Sequence, residues 1–242
     1  GTNRPTNIPI NNYMGKVTVN SGTISSKMFR SLRDYTAGGE IVINGGKFEG
    51  QIWMQGEGTG SSSLTINGGE FEPLYGYDGS SVYLTNGTND IELSVTGGLF
   101  NTKIGVANAE KAGVKGRVKG GRFTETAMQN TNEALFAEGY HFEQNGEYYE
   151  LVEGPSILEN LQNAFKNGGE YVMEGDVVLP SALTLANGKT LVLDLNGHSI
   201  SHEMECTASY NMITNSGELT IKGAGVISFT DTSAGGGSEW GS

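Results

Sequence analysis

The chain has 242 residues, with 27 acidic against 15 basic side chains and a formal charge of −12, which counts against a nucleic-acid or anionic-membrane partner. Glycine is abundant at 38 residues against 5 prolines, and hydrophobic content is 36%; that balance suits many tight turns around a narrow core in which each strand buries one face. One cysteine, Cys206, excludes an intrachain disulfide and a cysteine-based zinc site. No apolar run approaches the ~20 residues of a membrane helix, so membrane insertion is not expected.

Self-similarity dominates the chain. Val17-Thr-Val-Asn-Ser-Gly-Thr-Ile-Ser25 is followed by Ile41-Val-Ile-Asn-Gly-Gly-Lys-Phe-Glu49 and Leu64-Thr-Ile-Asn-Gly-Gly-Glu-Phe-Glu72. Leu93-Ser-Val-Thr-Gly-Gly-Leu-Phe-Asn101 and Arg117-Val-Lys-Gly-Gly-Arg-Phe-Thr124 continue the series. Residues before the turn fall at 20, 44, 67, 96 and 119, with steps of 24, 23, 29 and 23, the length of one coil of a parallel β-helix. Alternation such as Leu64 and Ile66 against Thr65 and Asn67 turns one side of the strand inward. The pairs Gly45-Gly46, Gly68-Gly69, Gly97-Gly98 and Gly120-Gly121 are expected where a β-carbon would clash or φ must be positive. Phe48, Phe71, Phe100, Phe123 and Ile24 then re-enter the core and stack on their equivalents. Asn20, Asn44, Asn67 and Asn196 are expected to form a side-chain ladder. Gln51–Gln55, Ser81–Thr85 and Lys103–Ala107 supply the other sheets of each coil.

Next, 134–140 reads as a short helical turn, and His141–Gln144 and Tyr148–Val152 read as a hairpin joined by Asn145-Gly146. Ser156-Ile-Leu-Glu159 is a capping box. It opens a helix with Leu158, Leu161, Ala164 and Phe165 on one face, stopped by Gly168-Gly169. Strands at Glu170–Val172, Val177–Leu179, Leu183–Leu185 and Leu191–Leu195 follow, and the repeat returns at Leu191–Ser201 and Leu219–Ser228. A helix of this kind covers the first coil of a solenoid, and the hairpin closes the last. The finish therefore precedes the start.

Leu161-Gln-Asn-Ala-Phe-Lys-Asn-Gly-Gly-Glu-Tyr171 through Leu193-Asp-Leu-Asn-Gly-His-Ser-Ile200 resembles the opening of pectate-lyase-like right-handed parallel β-helix modules. Such modules occur in bacterial surface proteins and phage virion proteins, with head-fibre and decoration proteins nearest in style. Leu135-Phe-Ala-Glu-Gly-Tyr-His-Phe-Glu-Gln-Asn-Gly-Glu-Tyr-Tyr149 resembles their closing segment. The expectation is an all-β parallel solenoid whose N-cap amphipathic helix is internal in sequence. Residues 1–153 form its later coils and hairpin and 154–242 its helix and opening coils, one domain in permuted order. A slice across two tandem modules, or exchange of halves between copies, are the competing arrangements.

The resemblance implies a structural or adhesive module on a virion or cell surface, with surface proteins and glycans as partners and a homotrimer as an assembly seen in such phage proteins. A polysaccharide lyase or hydrolase is the alternative, and an engineered permuted scaffold a third reading. Glycosidic or lyase chemistry needs converging carboxylates. Asp34, Asp78, Asp90, Asp176, Asp194 and Asp231 are scattered, so no catalytic residue is assigned and no cofactor is expected. His198 and His202, near Glu203 and Glu205, are a weak metal pair without a third ligand. Lys111, Lys115, Arg117, Lys119 and Arg122 read as a solvated face paired with acids. The glycan-binding candidates are Trp53, Tyr75, Tyr77 and Tyr83, since exposed aromatics on a flat sheet stack on sugar rings.

Overall fold

The computed structural model describes residues 8–233 apart from 27–28, 37, 59, 74–78, 86–90 and 206–208. Its strands form a parallel β-solenoid of about eight turns, divided between two compact units, Gly1–Gly154 and Pro155–Ser242.

Three sheets line the first unit. One contains Lys16–Val19, Glu40–Ile43, Ser62–Ile66 and Ile91–Val95, all parallel. Partners Val19, Ile43, Ile66 and Val95 lie on successive rungs, and a bridge carries the column to Val118, so the register follows the sequence repeat. After each turn come Thr23–Ile24, Lys47–Phe48, Glu70–Phe71, Leu99–Phe100 and Arg122–Phe123 in a second sheet. The third holds Ile10–Tyr13, Arg30–Thr36, Gln51–Glu57, Val82–Leu84 and Ile104–Val106. Two of its strands, Ile10–Tyr13 and Arg30–Thr36, were not expected from the alternation.

The core is a set of columns along the axis. Phe48, Phe71, Phe100 and Phe123 are at most 1% exposed; successive centroids lie 5.2, 4.8 and 4.8 Å apart with rings within 21° of parallel. Rung spacing in a sheet is about 4.8 Å, so the backbone ladder itself sets the stacking distance. Outside, Asn44 Nδ2 donates to Asn20 Oδ1 (2.8 Å), Asn67 Nδ2 to Asn44 Oδ1 (2.9 Å) and Thr96 Oγ1 to Asn67 Oδ1 (3.0 Å). The expected ladder therefore exists in this unit, with a threonine completing it.

Each Gly-Gly pair divides its labour. A β-carbon on Gly45, Gly68, Gly97 or Gly120 would lie 2.5–2.7 Å from the carbonyl oxygen of the preceding rung. Gly46, Gly69, Gly98 and Gly121 instead have φ between +97° and +118°.

The unit closes on the hairpin Tyr140–Asn145 and Tyr148–Glu153, whose second strand pairs antiparallel with Arg122–Phe123. Asn145 and Tyr148 are paired, so the central turn residues are Gly146-Glu147 rather than Asn145-Gly146. Gly146 has φ +65° while Glu147 does not have positive φ, the pattern that favours glycine first in a type II′ turn. The expected helical turn is a short 3-10 segment, Glu133–Leu135, and a further helix, Glu125–Asn130, is capped by Thr124.

The second unit opens on the helix Ile157–Asn167, with the capping box complete in both directions. Leu161 and Phe165 are its buried residues, and Gly168 ends it at φ +78°. Three rungs follow: Gly169–Val172, Thr190–Asp194 and Glu218–Lys222 in one sheet, with Val177–Val178, Ser199–Met204 and Val226–Asp231 in another. Leu183–Leu185 pairs with Ile213–Asn215. Leu191, Leu193, Leu185 and Ile200 line the core. Here the repeat alignment changes: Asp194, not Asn196, is the rung partner of Lys222. Asn196 takes φ +47° and its side chain donates to the Met173 carbonyl at 3.1 Å. A left-handed backbone swings it out of the strand, which removes it from any ladder.

Candidate functional site

The outer face of the five-stranded sheet of the first unit gathers aromatic and cationic side chains. Asn11, Arg33, Trp53, Tyr83 and Gly105 are register partners on successive strands. Their neighbours Leu32, Ile52, Val82 and Ile104 point into the core, so alternation sends this row outward. Trp53 and Tyr83 are half-buried, with centroids 6.1 Å apart and rings inclined at 69°. Tyr13 and Tyr35 form a second pair at 5.7 Å. Arg33 Nε donates to Asn11 Oδ1 at 3.0 Å, and its guanidinium lies 4.5 Å from the Tyr35 ring centre.

Arg30 enters this face through a bulge. Register shifts between Arg30 and Leu32, so Arg30 pairs with Gln51 while Leu32 pairs with Ile52. Ser31 is the extra residue, and its Oγ donates to the Gly50 carbonyl at 2.7 Å. The bulge re-aims Arg30 onto the outer row, where its guanidinium lies over the Trp53 ring and 4.9 Å from the Phe29 ring centre. Burial, and then the neighbouring Arg33 charge, push its pKa down to about 10.

Beneath this face Asp34 is fully buried. Ser62 Oγ donates to its Oδ2 at 2.7 Å and Asn12 Nδ2 to its Oδ1 at 3.1 Å. Burial raises the Asp34 carboxyl above its usual range, opposed by these two donors. The folded chain then binds the Asp34 proton more readily than the unfolded chain. This contribution is full below the unfolded pKa and is lost as pH rises through the folded one. Asp34→Asn, which keeps an acceptor and a donor for the same partners, is expected to remove that acid-side gain in melting temperature measured against pH. Asp34→Ala leaves Ser62 without this acceptor and Asn12 with only the Gly15 carbonyl, and is expected to cost about 2 kcal/mol at neutral pH.

Of the four aromatic candidates, the structure places Trp53 and Tyr83 together on adjacent strands; Tyr75 and Tyr77 lie outside the described residues. Phe29, Arg30, Arg33, Tyr35 and Tyr13 join them unforeseen. The strand carrying Arg30, Arg33 and Tyr35 was hidden because Asp34 occupies an inward position where alternation asks for an apolar residue. The dense Arg/Tyr content of 30–35 was the one available signal.

The remaining motifs go elsewhere. His198 Nδ1 lies 3.6 Å from Asp176, while His202 is buried, with Nδ1 against the Leu179 carbonyl and its ring stacked on Tyr210 at 4.8 Å. Among the described residues no three His, Cys, Asp or Glu side chains are grouped to hold a metal. Lys115 pairs with Glu110, Arg117 with Glu92 (3.7 Å) and Arg122 with Glu150 (3.3 Å), as expected for a solvated face. Asp194 turns back to accept from the Asn196 amide at 3.0 Å.

Comparison with known family models, curated proteins and solved structures finds no match to this chain.

Proposed function

We propose that this chain is a non-catalytic binding module of a phage virion or bacterial surface, and that it binds glycans on the outer face of the five-stranded sheet. The observation that carries the reading is the Arg33–Trp53–Tyr83 row, three rigidly spaced platforms on adjacent strands. Sugar rings present apolar C–H faces to aromatic planes and hydroxyls to nearby polar groups, and the exposed Asn11 stands beside Arg33 at one end of the row. The surface setting is supported by the resemblance of the opening and closing segments to pectate-lyase-like modules of such proteins. The order of closing hairpin before capping helix is what a permuted module, or a junction between tandem modules, would present.

The chain has two tryptophans, so Trp240→Phe leaves Trp53 as the single indole reporter. In that background a panel of oligosaccharides is expected to yield at least one ligand that changes Trp53 fluorescence on titration. Trp53→Ala, followed by calorimetry, should weaken that ligand about tenfold or more, since loss of a stacking anchor costs on the order of 1–3 kcal/mol. Binding unchanged in Trp53→Ala would reject the sheet face as the site.

A further inference from the structure

Arg30 is only 7% exposed, and a guanidinium keeps its charge at neutral pH. Buried charges are ordinarily paired with a counter-charge. In this chain carboxylates are in excess, and the two other described arginines, Arg117 and Arg122, each have one. Arg30 and Arg33 have none among the described residues, and the charge that acts on Arg30 is the like charge of Arg33. The rings of Phe29 and Trp53 do not resolve this. Stacking uses the flat face of a guanidinium, whereas its five N–H donors lie in the plane, at the edge. Arg30 Nε is buried without a hydrogen-bond acceptor. The bulge at Ser31 is what delivers this side chain to the outer row, where an unbroken alternation would turn it inward.

We infer that Arg30 and Arg33 form the anion-binding half of a subsite on the five-stranded sheet, Trp53 being its stacking half, and that the ligand is a sugar carrying an acidic group. The inference rests on the glycan reading above and names the class of glycan. A carboxylate drawn to the two guanidinium groups supplies the counter-charge that both lack and offsets their mutual repulsion, and the planar fork of arginine suits it geometrically. Arg33 and Trp53 are direct register partners, about 5 Å apart across neighbouring strands, so one sugar unit reaches both.

The test uses the Trp240→Phe chain with three probes: a hyaluronan tetrasaccharide, the same tetrasaccharide with its carboxylates reduced to alcohols, and sodium sulfate at constant ionic strength. Trp53 fluorescence reads the sugars and melting temperature reads sulfate. The acidic tetrasaccharide is expected to bind at least tenfold more tightly than the reduced one. Arg33→Gln, at a half-buried position that keeps the fold, should lose that preference. Arg30→Lys should lose it too, because an ammonium keeps the charge without the fork; circular dichroism checks that it folds. Equal binding of both sugars, or a preference that survives both substitutions, overturns the acidic subsite and leaves the glycan reading standing. Neither sugar binding, while sulfate raises the melting temperature of the parent chain but not of Arg33→Gln, keeps the anion site and overturns the glycan reading. No response to sugars or sulfate overturns both.

Discussion

Phe100→Ala is expected to destabilise the first unit by about 4 kcal/mol, the middle of the range for truncating a buried phenylalanine. Phe100 is fully buried between Phe71 and Phe123, both at 4.8 Å, with rings at 7° and 21°. How much such a cavity costs depends on whether its walls can collapse. Here they cannot close easily, because the two flanking rings are held a double rung apart by parallel ladders on either side. Phe48 is the comparison: it has one ring neighbour at 5.2 Å and the smaller Ile24 on the next rung, so Phe48→Ala should cost less. Phe100→Leu should cost about 1.5 kcal/mol by preserving most of the volume. Urea titration measures these values, with an unchanged m-value showing that the unfolding reaction is the same. A Phe100→Ala cost below about 2 kcal/mol would mean the column relaxes and the stack is not the rigid element described.

The second large effect lies at the turn. Gly97→Ala is expected to cost about 2–3 kcal/mol through a clash, since its β-carbon would sit 2.5 Å from the Asn67 carbonyl oxygen, a backbone atom pinned in the ladder. Gly98→Ala is expected to cost about 2 kcal/mol for another reason: φ is +108°, and the new methyl would also press on the Phe71 ring at 3.0 Å. Gly146→Ala separates the two causes, because it has φ +65° with nothing within 4 Å. It should show backbone strain alone, about 1 kcal/mol. Thermal unfolding of the three variants gives the ranking; a Gly97→Ala cost no larger than that of Gly146→Ala would refute the close-approach role.

The solenoid was legible because in a repeat the neighbour in space is the equivalent residue one period away. Phe71 meets Phe48 and Phe100, and Asn44 meets Asn20 and Asn67, so spacing alone locates the contact. The capping box was legible for a similar reason: Ser156 and Glu159 are one helical turn apart, and both hydrogen bonds are local. Where the repeat loosens, that logic weakens. In the second unit Asn196 looks like the ladder asparagines, yet its left-handed backbone moves the rung partner to Asp194. At the hairpin, pairing of Asn145 with Tyr148 shifts the turn by one residue.

The candidate site was legible only through Trp53 and Tyr83. Sequence by itself determined the parallel coils, the inward phenylalanine column, the two-glycine turns and the helix and hairpin that begin and end a solenoid. Tertiary structure alone decided the outer face of the five-stranded sheet. Asp34 can occupy an inward position because Asn12 and Ser62, 22 and 28 residues away on neighbouring rungs, hydrogen-bond it there. Arg30 joins the Trp53 row because one extra residue, Ser31, reverses the side on which it projects. Alternation assumes an unbroken period of two and an apolar interior. A bulge and a hydrogen-bonded carboxylate violate those two assumptions in the one strand that completes the site.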